Sequence, residues 1–311
     1  FVHYEVGYFA EYNAKTYIKY GLEKSKVPVT DVVDQCIEAQ FREIKRILLN
    51  ENTESFLGYA PVLNALSASY DEERNTLNLL TKTKDSDNNC QLLKRILDDL
   101  LIRERNKFLK ALRIKLPKVI IQSNSIYDKN EQILRIFGIL AYRDMNLFVP
   151  NIDDSIPIEY YEEYLEVVNT QLSQHPFVKI LERNGVTEYD FTGTAFRDFV
   201  IAYVLAEKDL SDFVREYIND CTKYCPSQLL VEFYNIFSDG NIDGNDIPLM
   251  YNSFKARAQV GDKITLHING DCSDCSVEFI FERDKSKIES LEFGINNLEN
   301  GIYIDQLSNC Y

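Results

Sequence analysis

A chain of 311 residues is long enough to form two or three domains with their own hydrophobic cores. Its 45% hydrophobic and 27% charged residues are typical of a globular protein, and no apolar run approaches the ~20 residues that a membrane-spanning helix needs. The net charge of −15 argues against general binding to a phosphate backbone, which needs clustered Lys and Arg.

The cysteine count and the first residue bear on the compartment and on the extent of the chain. Seven cysteines, an odd number, and no basic-then-apolar signal segment predict reduced thiols and a cytoplasmic location. The sequence opens on Phe1 rather than on Met, in a stretch that alternates like a strand. We therefore expect it to be part of a longer protein.

Residues 1–28 combine a predicted strand with a predicted helix. Apolar or aromatic side chains alternate with others from Val2 to Tyr8, which is the period of a half-buried strand. A helical pattern follows from Ala14 to Leu22, and Asn13 is placed to cap it.

Residues 29–115 are predicted to form a helical bundle. Pro28 and Thr30 open one helix. The stretch from Phe56 to Leu66 begins the next, with Pro61 in a first turn, where the missing N–H has no intrahelical partner. The polar residues 75–89 predict an exposed loop. A long helix follows, with an apolar stripe formed by Leu92, Leu93, Ile96, Leu97, Leu100, Leu101, Phe108 and Leu112.

Residues 94–118 form the most basic part of the sequence. Its cations are Lys94, Arg95, Arg103, Arg105, Lys107, Lys110, Arg113, Lys115 and Lys118. Such charge runs are usually the solvated face of a helix, and we interpret this one so; a local basic patch is the alternative. Because the whole chain is acidic, we do not expect nucleic acid as a partner.

Residues 116–220 are predicted to hold a connector, two helices, a hairpin and further helices. Two short β patterns flank Asn184-Gly185, a dipeptide suited to a tight hairpin turn. The next helix carries Phe196, Phe199, Val200, Tyr203 and Val204 on one face. Residues 221–258 are predicted to be a helical linker, and alternating residues from 261 onward predict a β-rich C-terminal region over 259–311.

The hairpin followed by Phe-Arg-Asp-Phe-x-x-Ala resembles the winged-helix segment of STAND NTPases, a family with NACHT-type and bacterial antiviral members. Two other segments, in the expected order, resemble the same family. Tyr4-Glu-Val-Gly-Tyr-Phe9 is similar to the last strand of the nucleotide-binding core, and Gly58-Tyr-Ala-Pro61 is similar to the Gly-Pro motif that opens a lid helix.

The resemblance implies a mainly α fold with a helical lid bundle, a winged-helix domain and a short β-rich end. It places the end of the nucleotide-binding core at 1–28, the lid at 29–115, the winged helix at 116–220, the linker at 221–258 and the start of a sensor at 259–311. The lid would close over ATP or ADP with Mg²⁺, bound mainly outside this chain by the core of the same protein. A protein ligand of the sensor would release it, and the protein would form homo-oligomers, as in antiviral defence.

Three residues are candidates for nucleotide contact. By the resemblance, Gly58 and Pro61 open the lid helix, and Pro61 packs against the base; two residues separate them, where many relatives have one. An ordinary Pro at a helix start is the alternative. The family carries a phosphate-contacting His where this chain has Gly193, and His175 could substitute for it in space. A structural His at a strand start is the alternative interpretation.

No Gly-x-x-x-x-Gly-Lys-[Ser/Thr] phosphate loop occurs in the sequence, so we expect no nucleotide hydrolysis by this chain alone, whereas its parent protein would be an ATPase. No catalytic residue is assigned.

Two weaker metal motifs are present. Asp239, Asn241, Asp243 and Gly244 match the start of a calcium loop, but Met250 stands where a bidentate Glu is needed, and Asp246 where an apolar residue is usual. The zinc motif consists of two separated cysteine pairs, Cys221 with Cys225 and Cys272 with Cys275. A metal-dependent enzyme is therefore the third hypothesis, after an NTPase fragment and after a non-enzymatic helical scaffold with a β appendage.

Overall fold

The computed structural model describes residues 7–48, 53–72, 90–116, 126–149, 156–183, 186–220, 228–239, 246, 263–268, 275–280 and 291–294. The fold is mainly helical, since 74% of the interpretable residues are in helices, which confirms the predicted class. The chain divides into two compact units, Phe1–Arg197 and Asp198–Tyr311. The five predicted segments and the winged-helix assignment stay predictions.

The described residues of the first unit form seven helices ahead of the hairpin. They are α1 (Glu11–Lys24), α2 (Asp31–Ile47), α3 (Thr53–Leu57), α4 (Ala60–Glu72), α5 (Gln91–Lys115), α6 (Lys129–Phe137) and α7 (Tyr161–Ser173). A π-helical turn, Gly138–Tyr142, continues α6, and a 3₁₀ turn, Ile158–Tyr160, precedes α7. Helix α4 packs against α1 and α5, and α5 packs against α6 and α7. The region predicted as a helical bundle is therefore helical and packed.

Helix starts follow the local sequence in two of these elements. Helix α2 begins beside Thr30, where a helix start was predicted, and the side chain of Thr30 caps it by accepting a hydrogen bond from the amide of Val33. The side chain of Asp128 accepts one from the amide of Glu131 at 2.8 Å and caps α6. Both side chains supply an acceptor to a first-turn N–H that has no partner in the helix.

The start of α1 differs from the prediction. Its N-cap is Ala10 and not Asn13, which lies inside the helix. Residues 7–10 are not in a strand either. The amide of Phe9 donates to the carbonyl oxygen of Gly58 at 2.9 Å, and this long-range bond fixes where the chain turns into the helix. Residues 1–6 of the predicted strand lie outside the described residues.

The predicted hairpin is present. Strand β1 (Val178–Arg183) pairs antiparallel with β2 (Val186–Phe191), in a register that sets Arg183 opposite Val186. The strands are thus joined by two residues, at the position predicted for the turn; Asn184 and Gly185 themselves lie outside the described residues. Helix α8 (Thr194–Ala206) follows at once and continues into the second unit.

The second unit contains the rest of α8, a 3₁₀ turn (Lys208–Leu210), α9 (Ser211–Asp220) and α10 (Gln228–Phe237). A three-stranded antiparallel sheet follows in the order β3 (Lys263–Ile268), β4 (Cys275–Ile280) and β5 (Leu291–Gly294). These strands lie in the part of the chain that was predicted to be β-rich, and the extent of that region stays a prediction. The predicted loop 75–89, most of the connector 116–128 and most of the linker 221–258 lie outside the described residues.

Two groups of buried side chains join elements of the first unit. The Glu131 network consists of Glu131, Arg135, Tyr164 and Asn146. In it Glu131 Oε1 accepts hydrogen bonds from Arg135 Nε at 2.8 Å and from the Tyr164 hydroxyl at 2.7 Å. Arg135, which is 1% exposed, also donates from Nη1 to Asn146 Oδ1. Burial, then the Glu131 carboxylate, raises the pKa of Tyr164, so its hydroxyl stays a donor.

The second group is the Phe196 cluster, formed by Phe56, Tyr59, Phe177 and Phe196. The ring of Phe196 lies 5.5 Å from Phe56, 5.9 Å from Tyr59 and 5.0 Å from Phe177, measured between ring centroids. Phe196 itself is 2% exposed. These rings belong to α3, the start of α4, the hairpin and α8, so one side chain joins four elements of the chain.

Candidate functional site

The segment Gly58–Pro61 joins α3 to α4, and Gly58 is buried in it. The amide of Gly58 donates to the carbonyl oxygen of Glu54 at 2.8 Å, while its own carbonyl oxygen accepts from Phe9. A Cβ at this position would lie 2.4 Å from the Phe9 carbonyl oxygen and 2.6 Å from that of Glu54. Because both neighbours are backbone atoms, only glycine allows this close approach.

Pro61 is the second residue of α4, as its predicted place in a first turn requires. The first backbone bond of this helix runs from the amide of Leu63 to the carbonyl oxygen of Tyr59 at 3.1 Å. Pro61 therefore removes no intrahelical bond. Its side chain is half-buried, which leaves an apolar edge accessible.

Tyr59 connects the Gly58–Pro61 segment to α8 and to the end of β2. Its ring meets Phe196 edge-on, and Tyr8 contacts it on another side with the ring centroids 6.1 Å apart. Burial raises the pKa of Tyr59 to about 12, and a hydrogen bond with Thr192 opposes that rise. The hydroxyl is therefore protonated at neutral pH and anchored at the end of β2.

His175 precedes strand β1 in the chain and is only 1% exposed. Its Nδ1 accepts a hydrogen bond from the amide of Phe177 at 3.1 Å, so the ring proton is on Nε2, which faces Gln132 Oε1 at 3.3 Å. Burial, with Lys107 and Arg103 nearby, lowers the pKa of His175 to about 3. The neutral ring is hydrogen-bonded at both nitrogens, which agrees with the alternative interpretation of a structural His. Phosphate contact by His175 stays a prediction.

Gln132 was not predicted from the sequence. It is fully buried in α6, and its Nε2 donates to the carbonyl oxygens of Leu101 and Tyr127, each at 3.1 Å. It thereby ties α5 and α6 to His175. The sequence gives no signal for this role of Gln132, because Leu101 and His175 are 31 and 43 residues away along the chain.

Phe196 is contacted by neighbours of the predicted site residues rather than by those residues themselves. Gly58 and Pro61 flank Tyr59, which contacts Phe196. His175 contacts Phe177 edge-on at 4.9 Å, and Phe177 contacts Phe196 as well. Gly193 precedes α8, and a Cβ there would meet the Phe196 ring at an ordinary 3.7 Å.

Charged side chains lie beside this cluster on α5. Glu104, 3% exposed, accepts from Arg103 Nη2 at 2.8 Å and from Lys107 Nζ at 2.8 Å. Part of the predicted basic segment is therefore paired: Lys94 with Asp98, and Lys115 with Glu166. This agrees with a solvated helix face whose cations are partly neutralised.

The calcium hypothesis falls mostly outside the described residues, which include Asp239 and Asp246 but not 240–245. Asp239 has φ 51°, a left-handed conformation found in turns. Asp246 is fully buried, and its carboxylate accepts from Arg215 Nε at 2.6 Å and from the Tyr234 hydroxyl at 2.8 Å. Asp246 therefore forms an ion pair with Arg215 within the second unit.

The zinc hypothesis is not tested either. Cys221, Cys225 and Cys272 lie outside the described residues, and Cys275 begins β4. Within the described part of the chain, no group of three or more His, Cys, Asp or Glu side chains could hold a metal ion.

Among the described residues, no helix combines the length and the apolar composition needed to cross a membrane.

The fold and the site define a mainly helical protein with a buried aromatic junction. No protein-family model, no curated protein and no solved structure matches the chain.

Proposed function

We propose that this chain is the lid and winged-helix part of a STAND-like NTPase, which closes over bound nucleotide and controls ligand-triggered oligomerisation. Three segments that resemble the family occur in the family's order, and the mainly helical fold agrees with such a role. ATP or ADP and Mg²⁺ would be held mainly by the nucleotide-binding core of the same protein. Its location would be cytoplasmic.

The observation that carries the proposal is the contact between two of the family-like segments. Tyr59, from the Gly58–Pro61 segment, and Phe177, from the hairpin, both lie against Phe196. A lid and a winged helix that act together need such a contact, because nucleotide bound at one must be felt at the other.

The geometry suggests how the coupling would work. Gly58 allows no side chain and fixes the backbone before α4, while Pro61 stiffens the first turn of that helix. A base packed against Pro61 would bias the position of α4. Because Tyr59 is adjacent to that turn, the bias would reach Phe196 and the hairpin through ring contacts.

The test uses the protein encoded by the complete gene. A phosphate loop encoded upstream of Phe1 is expected, and its absence would leave the non-enzymatic scaffold as the better hypothesis. In that protein, Pro61→Ala should weaken binding of a fluorescent ADP analogue about fivefold to tenfold, since it removes up to two apolar carbons from the base contact. Folding should be little changed, because Ala is favourable in a helix.

Pro28→Ala is the matched control, because Pro28 is an exposed proline before α2 and outside the Gly58–Pro61 segment. Its affinity for the analogue should equal that of the wild type. Equal affinity in Pro61→Ala as well would show that the Gly58–Pro61 match is coincidental.

A further inference from the structure

Helix α5 has an exposed face that combines cations with apolar side chains. Ile102 and Ile114 are 58% and 81% exposed. Lys110 and Arg113, which lie between them in the sequence, are exposed as well. The 3.6-residue period of an α-helix places these four residues on one side of α5. We call them the basic face.

The cations of the basic face differ from their neighbours on the same helix. Lys107 pairs with the buried Glu104, whereas Lys110 and Arg113 have no ion-pair partner within the described part of the chain. The helix dipole favours cations near the end of a helix. It gives no reason for Ile114, which lies beside both cations and exposes an apolar side chain to water.

The start of α7 carries the opposite charge. Glu159, Glu162 and Glu163 are exposed, and among the described residues their carboxylates have no ion-pair partner. Ile158, in the 3₁₀ turn before α7, is 90% exposed, the largest fraction among the large apolar side chains that the structure describes. Carboxylates are favoured at a helix start, but an exposed isoleucine beside them is not. These four residues form the acidic face.

The two faces point in different directions within one copy of the chain. Helix α5 meets α7 through Phe108, which contacts Tyr164 edge-on, and through Lys115, which pairs with Glu166. By the helical period, Phe108 and Lys115 lie on the side of α5 opposite to the basic face. The acidic face likewise lies away from Tyr164, on the solvent side of α7. A contact between the two faces therefore joins two copies.

We propose that the basic face of one copy binds the acidic face of a second copy. The isoleucines form the apolar centre of the contact, and the unpaired cations and carboxylates surround them. Charge complementarity is what selects a second copy as the partner, since each face offers the charges that the other lacks. Because the faces are unlike, every bound copy leaves one face free, so the contact builds rings or chains. It requires no nucleotide and goes beyond the proposed function, which assigns no surface to the homo-oligomer.

Sedimentation velocity of the 311-residue chain tests the proposal. The wild type should associate with Kd below about 100 μM. Two charge-reversed proteins, Lys110→Glu with Arg113→Glu and Glu162→Lys with Glu163→Lys, should each stay monomeric, because like charges then face each other. An equimolar mixture of the two should associate again, since each reversed face meets its complement. Both proteins keep a large negative net charge, so general attraction does not explain such a rescue.

The apolar part of the contact is tested by Ile114→Ser, which should weaken association about tenfold because it removes apolar area from the interface. Lys24→Glu with Lys26→Glu is the matched control. These two lysines are exposed at the end of α1, and their reversal changes the net charge as much as reversal of the basic face does. This control should associate like the wild type.

Three results would overturn the proposal without affecting the Pro61 test. The first is a wild type that is monomeric at about 100 μM. The second is a mixture of the reversed proteins that stays monomeric although both unfold at the temperature of the wild type. The third is a duplex nucleic acid that binds the wild type and not the Lys110→Glu, Arg113→Glu protein, which would assign the basic face to nucleic acid.

Discussion

The Glu131 network and the Phe196 cluster hold the same unit together with opposite chemistry. In the first, a carboxylate and a guanidinium are both buried and joined by hydrogen bonds of 2.8 Å or less. In the second, four rings meet at centroid distances from 5.0 to 5.9 Å. Charged hydrogen bonds depend steeply on distance and angle, whereas ring contacts tolerate small displacements.

The difference suggests that the two groups have different roles in the unit. The network fixes α6, α7 and the turn that contains Asn146 in one arrangement, because a displaced partner would leave a buried charge unpaired. The cluster holds α3, α4, the hairpin and α8 by contacts that can shift and re-form. A lid that responds to nucleotide would use the ring contacts of the Phe196 cluster. Substitutions in the two groups should therefore differ in their cost to stability.

The largest effect is expected in the Glu131 network. Arg135→Met should lower the free energy of unfolding by about 3–5 kcal/mol, because it leaves the Glu131 carboxylate buried without its cation. Denaturant unfolding of the variant and of the wild type measures the difference. The double variant Glu131→Met with Arg135→Met should be less destabilised than the single one, since it leaves no buried charge.

Arg46→Met is the control for this change. Arg46 pairs with Glu43 one turn away on an exposed side of α2, and exposed pairs contribute about 0–1 kcal/mol. If Arg135→Met were no more destabilising than Arg46→Met, the network would not be the rigid part of the unit.

His175 lies between the two groups, bonded to Gln132 and in ring contact with Phe177, and it should make stability depend on pH. Its pKa falls from 6.5 to about 3 on folding, so between these values the unfolded chain binds more protons. Stability is therefore full above pH 6.5 and is lost as the pH falls. Between pH 7 and pH 5 this group alone should remove about 2 kcal/mol.

The comparison with His175→Gln isolates this contribution, because Gln can keep one donor and one acceptor but does not titrate. Unfolding by denaturant at pH 7 and pH 5 should show a loss about 2 kcal/mol smaller in the variant. Equal losses in both proteins would mean that His175 is not excluded from water as its burial indicates.

The sequence allowed the helices with strong local signals to be predicted. The start of α2 at Thr30 follows from the preference of Thr for helix starts, and the apolar stripe of α5 follows from the 3.6-residue period. The hairpin follows from two β patterns around Asn184-Gly185. In α8 the single predicted stripe was too narrow. Phe196 and Phe199 are buried as predicted, but Asp198, Ile201 and Ala202 are buried too, because neighbours cover that helix on more than one side.

The contacts of the site could not be predicted in the same way. Phe9 with Gly58 and His175 with Gln132 join residues 49 and 43 positions apart. Nothing local in a single sequence encodes such pairs, since they depend on how helices pack. The same limitation explains Asn13: its capping preference is weaker than the backbone bond that places Ala10 at the start of α1.

The smallest effect is expected in the Phe196 cluster. Phe196→Leu should cost about 1 kcal/mol, because Leu keeps most of the buried apolar volume and the neighbouring rings can close around it. Phe196 makes no side-chain hydrogen bond that could be left unpaired, so the loss is one of packing alone. The shift of the denaturant midpoint, at an unchanged slope, measures the difference.

Phe108→Leu is the matched change beside the Glu131 network. Phe108 is fully buried, stacks on Tyr127 at 4.1 Å and meets Tyr164 edge-on at 5.6 Å. The amide of Tyr127 and the hydroxyl of Tyr164 both donate to Glu131, so a void at Phe108 disturbs charged hydrogen bonds as well as packing. Phe108→Leu should therefore cost about 2 kcal/mol or more, and it should be non-additive with Arg135→Met, whereas Phe196→Leu should be additive with it. Equal costs for the two Phe→Leu changes would show that the ring cluster is held as tightly as the charged network, and the proposed coupling through Phe196 would then lose its physical basis.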